Sequence, residues 1–137
     1  MIVGTGIDLV ELSRIRRIAE KFGHAFIRKI LGPDEMADFA AKFGDDPLAP
    51  KSAEFLGARF AAKEAAVKAL GTGFSDGVSM CDVQVANLPS GKPEVAFSGK
   101  AAEILSQIPS PICHLTITHT RETAAAFVIV ESREKGR

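Results

Sequence analysis

Hydrophobic positions along this 137-residue chain change their period more than once. At the start, Ile2, Val3 and Ile7 form a short strand-like run over residues 1–8, where Gly4 and Gly6 mark a close approach of something to the backbone. From 11 to 22 the apolar residues Leu12, Ile15, Ile18 and Phe22 recur every three or four positions, which predicts an amphipathic helix ended by Gly23. Residues 24–31 form a second short helix with Phe26, Ile27 and Ile30 inward, broken by Gly32. Pro33, followed by Asp34 and Glu35, opens a third through about Phe43. The Gly, Pro and Asp content of residues 44–50 makes a loop, expected to be the most mobile insertion.

The longest helical run follows, FLGARFAAKEAAVKALGTG at 55–73, with Ser52 expected to cap it. Leu56, Phe60, Val67 and Leu70 give it an apolar side, alanines fill the gaps, and Gly71 with Gly73 supplies the stop. Thr72, Ser75 and Asp76 occupy an exposed Gly-rich turn. Beyond it the period becomes that of strands: 80–87 alternates through Cys81, Val83 and Val85, LPSGKP turns the chain, and 94–97 completes a hairpin. Ser98 caps a short helix carrying Ala101, Ala102, Ile104 and Leu105. Strands at 112–118 and 124–130 flank a turn, and the terminal ESREKGR is expected to fray. This order predicts a single α+β domain over 1–137, its mainly antiparallel sheet packed against the long central helix.

Composition adds bounds. Hydrophobic residues make up 46% and charged ones 25%, which excludes a disordered chain. No apolar run reaches the roughly 20 residues that span a bilayer and no charged leader precedes the start, so a cytoplasmic protein without membrane contact is expected. Cys81 and Cys113 lack metal-ligand spacing and read as buried free thiols inside strands. Net charge is zero overall but uneven, +3 over residues 1–31 and −4 over 32–54. A local basic patch on a neutral protein fits an acidic partner rather than nucleic acid, although both segments also fit ordinary solvated faces.

The candidate chemistry lies on the polar face of the long helix. Glu64 and Lys68 are four apart and point the same way, with Lys63 about 100° round and Arg59 close to that side. A metal-capable carboxylate among three cations suits a phosphate ester, yet the same pair also fits a surface salt bridge worth about 0.3 to 0.5 kcal/mol. Asp8, at the expected end of the first strand, either faces a cleft or caps the next helix. The 71–73 turn either offers backbone amides to a phosphate or simply stops the helix. His119 fits a turn histidine, and His24 and His114 fit structural roles. Classical nucleotide-binding loops and nucleophile-elbow motifs are missing.

Four segments together carry a family resemblance: GIDLVELSRI at 6–15, the 55–73 run, SGKP at 90–93, and LTITHTRETAAAFVIV at 115–130. In order and over most of the chain, they resemble the 4'-phosphopantetheinyl transferases, specifically the short bacterial holo-acyl-carrier-protein synthases. The departures gather in residues 44–50. The resemblance implies that family's fold and transfer of the 4'-phosphopantetheine arm of coenzyme A to a serine of apo-acyl carrier protein, in fatty acid biosynthesis, releasing adenosine 3',5'-bisphosphate. It implies Mg²⁺ at Asp8 and Glu64, and Lys68 at the leaving phosphate. Arg59, Lys63, Gly71, Gly73, Thr118, His119 and Thr120 would bind coenzyme, and Arg14, Arg17, Lys21 and Arg28 would meet the acidic carrier protein. It further implies a homotrimer with coenzyme clefts between subunits. Two other functions fit the same residues: a non-catalytic carrier- or nucleotide-binding module, and a Mg²⁺-dependent phosphohydrolase of coenzyme A-like diphosphates. A strand Asp and a helix Glu so far apart in sequence meet only if the long helix packs across the first strand.

Overall fold

The computed structural model describes residues 1–75 and 77–134. In chain order it contains β1 (Ile2–Glu11), α1 (Leu12–Phe22), α2 (His24–Ile30), α3 (Pro33–Phe43), α4 (Ser52–Leu70), a 3₁₀ turn (Met80–Asp82), β2 (Val83–Asn87), β3 (Pro93–Phe97), α5 (Gly99–Ser106), β4 (Pro111–His119) and β5 (Thr123–Ser132). Asp76 and residues 135–137 of the expected tail lie outside the described residues. Glu131 and Ser132, also expected to fray, instead extend β5.

Two antiparallel sheets form, one of order β1-β5-β4 and a hairpin of β2 with β3. Helix α4 lies across β1 and β5. Gly4 and Gly6 permit this: a Cβ at either position would fall on a carbonyl oxygen of α4, that of Ala69 or of Ala65. The close approach anticipated at these glycines is therefore the central helix itself. Around it, Ala61, Ala62, Ala65, Ala66, Leu56 and Val67 are fully buried, and one apolar core joins both sheets and every α-helix.

Several local expectations need correction. Strand β1 does not end at Asp8 but continues to Glu11, because Asp8 pairs opposite Ala126 and the ladder runs on to Thr123. Helix α4 is not amphipathic: it is enclosed by sheet, α1 and the hairpin, and Lys68 is its only exposed residue. Ser52 does not cap it; Lys51 is the N-cap, in a left-handed conformation (φ 68°), and the buried Ser52 hydroxyl donates to the Pro47 carbonyl at 3.0 Å. The loop over 44–50 also carries exposed hydrogen bonds, from Leu48 N–H to Asp46 (2.9 Å) and between His24 Nε2 and Asp45 (3.0 Å).

Both cysteines are free and half-buried. Cys113 lies in β4, but Cys81 is in the 3₁₀ turn rather than a strand, its thiol donating to the Leu31 carbonyl at 3.4 Å. Burial pushes the Cys113 thiol up to about 11. At pH 8 only about one such thiol in a thousand is ionised, so iodoacetamide is expected to label Cys113 slowly in the native protein and rapidly after unfolding. Peptide mass spectrometry checks this; equal native and unfolded rates would contradict it.

Among the described residues, none forms a layer over the second face of the three-stranded sheet. Alternate residues there include Ile7 and Leu9 on β1, 64% and 68% exposed, and Phe127 on β5. No helix among the described residues is long and apolar enough to cross a membrane.

Candidate active site

Because side chains alternate along a strand, Gly4, Gly6, Asp8 and Val10 of β1 face α4 while Ile7 and Leu9 face away. Asp8 thus points at the helix, and its Oδ1 accepts a hydrogen bond from Lys68 Nζ at 3.1 Å. The same ammonium donates to the Ile7 carbonyl at 3.0 Å, yet the side chain stays 50% exposed. Glu64, one turn earlier on α4, is half-buried. Burial, and then the nearby Asp8 carboxylate, raise its proton affinity, while Lys68 and Arg14 oppose the shift. Asp8, Glu64, Lys68 and Arg14 therefore form one electrostatic cluster.

Two like charges held together in a partly desolvated place ask for a cation. The donors are hard carboxylate oxygens, and no group of three His, Cys, Asp or Glu metal ligands occurs among the described residues. Such a pair could hold a divalent ion that keeps open positions for water or phosphate, not a closed structural site.

The other anticipated residues do not all gather here. Arg59 is five residues before Glu64, about 140° away round the helix. It lines a separate cleft of about 430 Å³ with Lys42, Lys51, Phe43, Phe55 and His119, closed on one side by the β2–β3 hairpin at Asn87, Gly91 and Pro93. The guanidinium stacks 3.7 Å from the Phe55 ring centroid, and Lys42 approaches the same ring at 5.2 Å. Three cations and an imidazole, against the one carboxylate of Glu54, make a net basic wall suited to a phosphate group. Lys42, Lys51 and Asn87 escaped the sequence argument; part of the SGKP turn, singled out only by resemblance, lies on this wall.

Other placements depart from expectation. Lys63 is not on the cleft face: it is fully buried, and its ammonium meets Glu35 Oε1 at 2.6 Å. Gly71 and Gly73 do not offer free amides, since Gly71 N–H donates to the Lys68 carbonyl (3.0 Å) and Thr72 and Gly73 N–H to the Val67 carbonyl (3.2 and 3.4 Å). Both glycines have positive φ, and the turn is a helix stop. Thr118 points to the uncovered sheet face beside Ile7 and Phe127, opposite to His119. The Thr120 hydroxyl holds the β4–β5 turn by accepting from Glu122 and Thr123 N–H groups at 3.2 and 3.1 Å. Arg14, Arg17, Lys21 and Arg28 are all exposed as expected. His24 and His114 pair with surface carboxylates of Asp45 and Glu131.

Fold and site thus define an α+β protein with a carboxylate pair where α4 crosses one edge strand and a basic, aromatic cleft beside the other. The model of the 4'-phosphopantetheinyl transferase superfamily matches residues 4–126. The holo-[acyl-carrier-protein] synthase of Nitratidesulfovibrio vulgaris is 47% identical over 132 residues, 96% of this chain and 100% of that protein. The crystal structure of the enzyme of that name from Neisseria meningitidis aligns with TM-score 0.82 and 38% identity, over 96% of this chain and 100% of its own. That from Bacillus anthracis, in complex with coenzyme A (3',5'-ADP), aligns with TM-score 0.76 and 39% identity, over 96% of this chain and 98% of its own. The chain belongs to the 4'-phosphopantetheinyl transferase superfamily.

Proposed function

We propose that this protein transfers the 4'-phosphopantetheine arm of coenzyme A to a serine of apo-acyl carrier protein, as a Mg²⁺-dependent holo-acyl-carrier-protein synthase of the cytoplasm. The observation that carries this is the meeting of Asp8, Glu64 and Lys68 where α4 crosses β1, in a member of this superfamily. Asp8 and Glu64 would hold Mg²⁺, which when bound supplies positive charge to the pyrophosphate oxygens of the coenzyme. The serine oxygen bonds to the β-phosphorus as the bond to the departing adenosine 3',5'-bisphosphate breaks. Lys68, half exposed beside Asp8, neutralises charge on the leaving phosphate. The serine proton goes to a water beside the two carboxylates, or to Glu64 itself, a weaker base once it holds a metal ion.

The basic, aromatic cleft suits the other end of the coenzyme. Arg59, Lys42, Lys51 and His119 would offer positive charge and hydrogen bonds to a 3'-phosphate. In one chain the two half-sites belong to opposite edges, Asp8 on β1 and His119 on β4, separated by β5 and so by about 10 Å of sheet. Packing of copies through the uncovered face of Ile7, Leu9 and Phe127 would join the carboxylates of one subunit to the cleft of the next. A homotrimer is the assembly we assign. Phe127→Asp is accordingly expected to give a folded monomer by light scattering with transfer lost; a trimeric, active variant would contradict the assignment.

Carrier docking fits helix α1. Arg14, Arg17 and Lys21 line one stripe, at i, i+3 and i+7, that starts at the Glu64 cluster. Beside the stripe lies an apolar cavity of about 390 Å³ lined by Ile18, Phe22, Phe26, Ile30, Phe60 and Met80. Phe60 is one turn from Glu64. An acidic helix with an apolar side chain, seated there, would bring its serine to the carboxylates, and its docking would weaken with salt.

The test is release of adenosine 3',5'-bisphosphate from coenzyme A. Release that needs both Mg²⁺ and apo-carrier protein supports the transferase. Release without carrier protein would turn the assignment to the phosphohydrolase, and binding without release to the non-catalytic module.

A further inference from the structure

Away from the carboxylate pair, three charged side chains share one interior pocket. Glu35 is 1% exposed, Lys63 0% and Arg59 5%. The three protons of the Lys63 ammonium are all engaged, by Glu35 Oε1 at 2.6 Å, the Met80 carbonyl at 3.0 Å and the Val83 carbonyl. Glu35 Oε1 also accepts from Gly32 N–H at 3.0 Å, and Oε2 from Val85 N–H at 3.2 Å. Arg59 Nε stands 4.0 Å from Oε2, beyond hydrogen-bond reach, and has no partner among the described residues although it is buried.

Within the buried trio one acid meets two bases, Asp38 and Glu54 lying further out toward solvent and the cleft, so the acid's choice of partner decides which buried cation is left without a direct bond. With Glu35 taken by Lys63, that cation is Arg59, at the wall of the basic cleft. A buried guanidinium beside an otherwise free carboxylate would close into a bidentate pair, the strongest arrangement open to those two groups. We propose that Lys63 is a positioning residue for coenzyme binding: by occupying Glu35 it keeps the Arg59 guanidinium out of direct hydrogen bonding with that carboxylate and presented to the cleft. This rests on the assignment of that cleft to the phosphate end of coenzyme A.

Kinetics of carrier-protein modification by Lys63→Met, Glu35→Gln, the double variant and Arg59→Ala test it, each well below its own melting temperature. Glu35→Gln strands the buried Lys63 ammonium, and Lys63→Met leaves the Met80 and Val83 carbonyls without their donor, so both lower the melting temperature. Only Lys63→Met is expected to raise KM for coenzyme A, by about tenfold, because the freed carboxylate withdraws Arg59. Glu35→Gln leaves that KM near wild type, and the double variant returns to it despite lacking Lys63. KM for the carrier protein stays put throughout. If the methionine variant does not fold, Lys63→Gln, which retains amide donors for the Met80 and Val83 carbonyls, provides the same comparison. A purely structural role would make KM follow stability equally in both single variants, and that result overturns the proposal. Arg59→Ala separates the two levels of inference. If it raises KM while Lys63→Met and Glu35→Gln remain alike, the positioning role alone fails; if it leaves KM unchanged, the assignment of the cleft fails with it.

Discussion

Glu64→Gln is expected to abolish transfer, by about a thousandfold or more, while leaving the fold intact. The amide keeps the shape of the side chain but removes half of the carboxylate pair. Charge stabilisation at a metal-assisted phosphoryl centre is worth several kcal/mol, and each 1.4 kcal/mol is about tenfold in rate. Stability moves the other way. Burial and Asp8 raise the proton affinity of Glu64 in the folded chain, so its ionised form destabilises the metal-free protein at neutral pH. A raised carboxyl pKa means that this loss is absent below the unfolded value and sets in as pH rises through the folded one. The glutamine variant is therefore expected to melt at or above the wild-type temperature near pH 7 without metal, and to lose that part of the pH dependence. Thermal melts with and without EDTA, beside single-turnover transfer, measure both. A variant that is both inactive and much less stable would instead mark Glu64 as structural.

Gly6→Ala is expected to have the largest effect on folding. The added methyl would clash with the Ala65 carbonyl oxygen, a backbone atom that no rotamer change can move aside. Either the helix lifts from the strand or the strand bends, and overpacking of this kind costs about 3 kcal/mol or more. Asp8 and Glu64 depend on the same contact, so transfer should fall even in the fraction that folds. Denaturant melts report the loss. A wild-type midpoint would show that α4 does not rest on β1 as described.

That contact also shows how much the sequence could reveal. The glycine pair at 4 and 6, the alanine-rich helix and the strand alternation after residue 80 were legible because each is a local consequence of backbone freedom or side-chain period. Asp8 and Glu64 were legible as a pair only through the family motif; their meeting depends on long-range packing. Lys63 shows where local reasoning stops. Helical geometry put it about 100° from Glu64, but only the fold reveals that Glu35, 28 residues earlier, waits on that side. A helix enclosed on nearly every side leaves its cations no common outward face, so Arg59 and Lys63 separate from Lys68. The two readings of the 71–73 amides were left open for a related reason: a helix end leaves carbonyls that demand donors, and only the fold shows the nearest N–H groups serving them. Lys42 and Lys51 were hidden in an acidic segment, and they reach the cleft only because α3 packs against Phe55 of α4 while Lys51 caps that helix.

The most direct measurement is the intact mass of purified apo-acyl carrier protein after incubation with this protein, coenzyme A and Mg²⁺. EDTA, Glu64→Gln and a carrier protein lacking the acceptor serine serve as controls. A gain of one phosphopantetheine per carrier, abolished by each control, is the predicted result. An unchanged carrier mass with several carrier proteins, while coenzyme A is still bound or hydrolysed, would contradict the transferase.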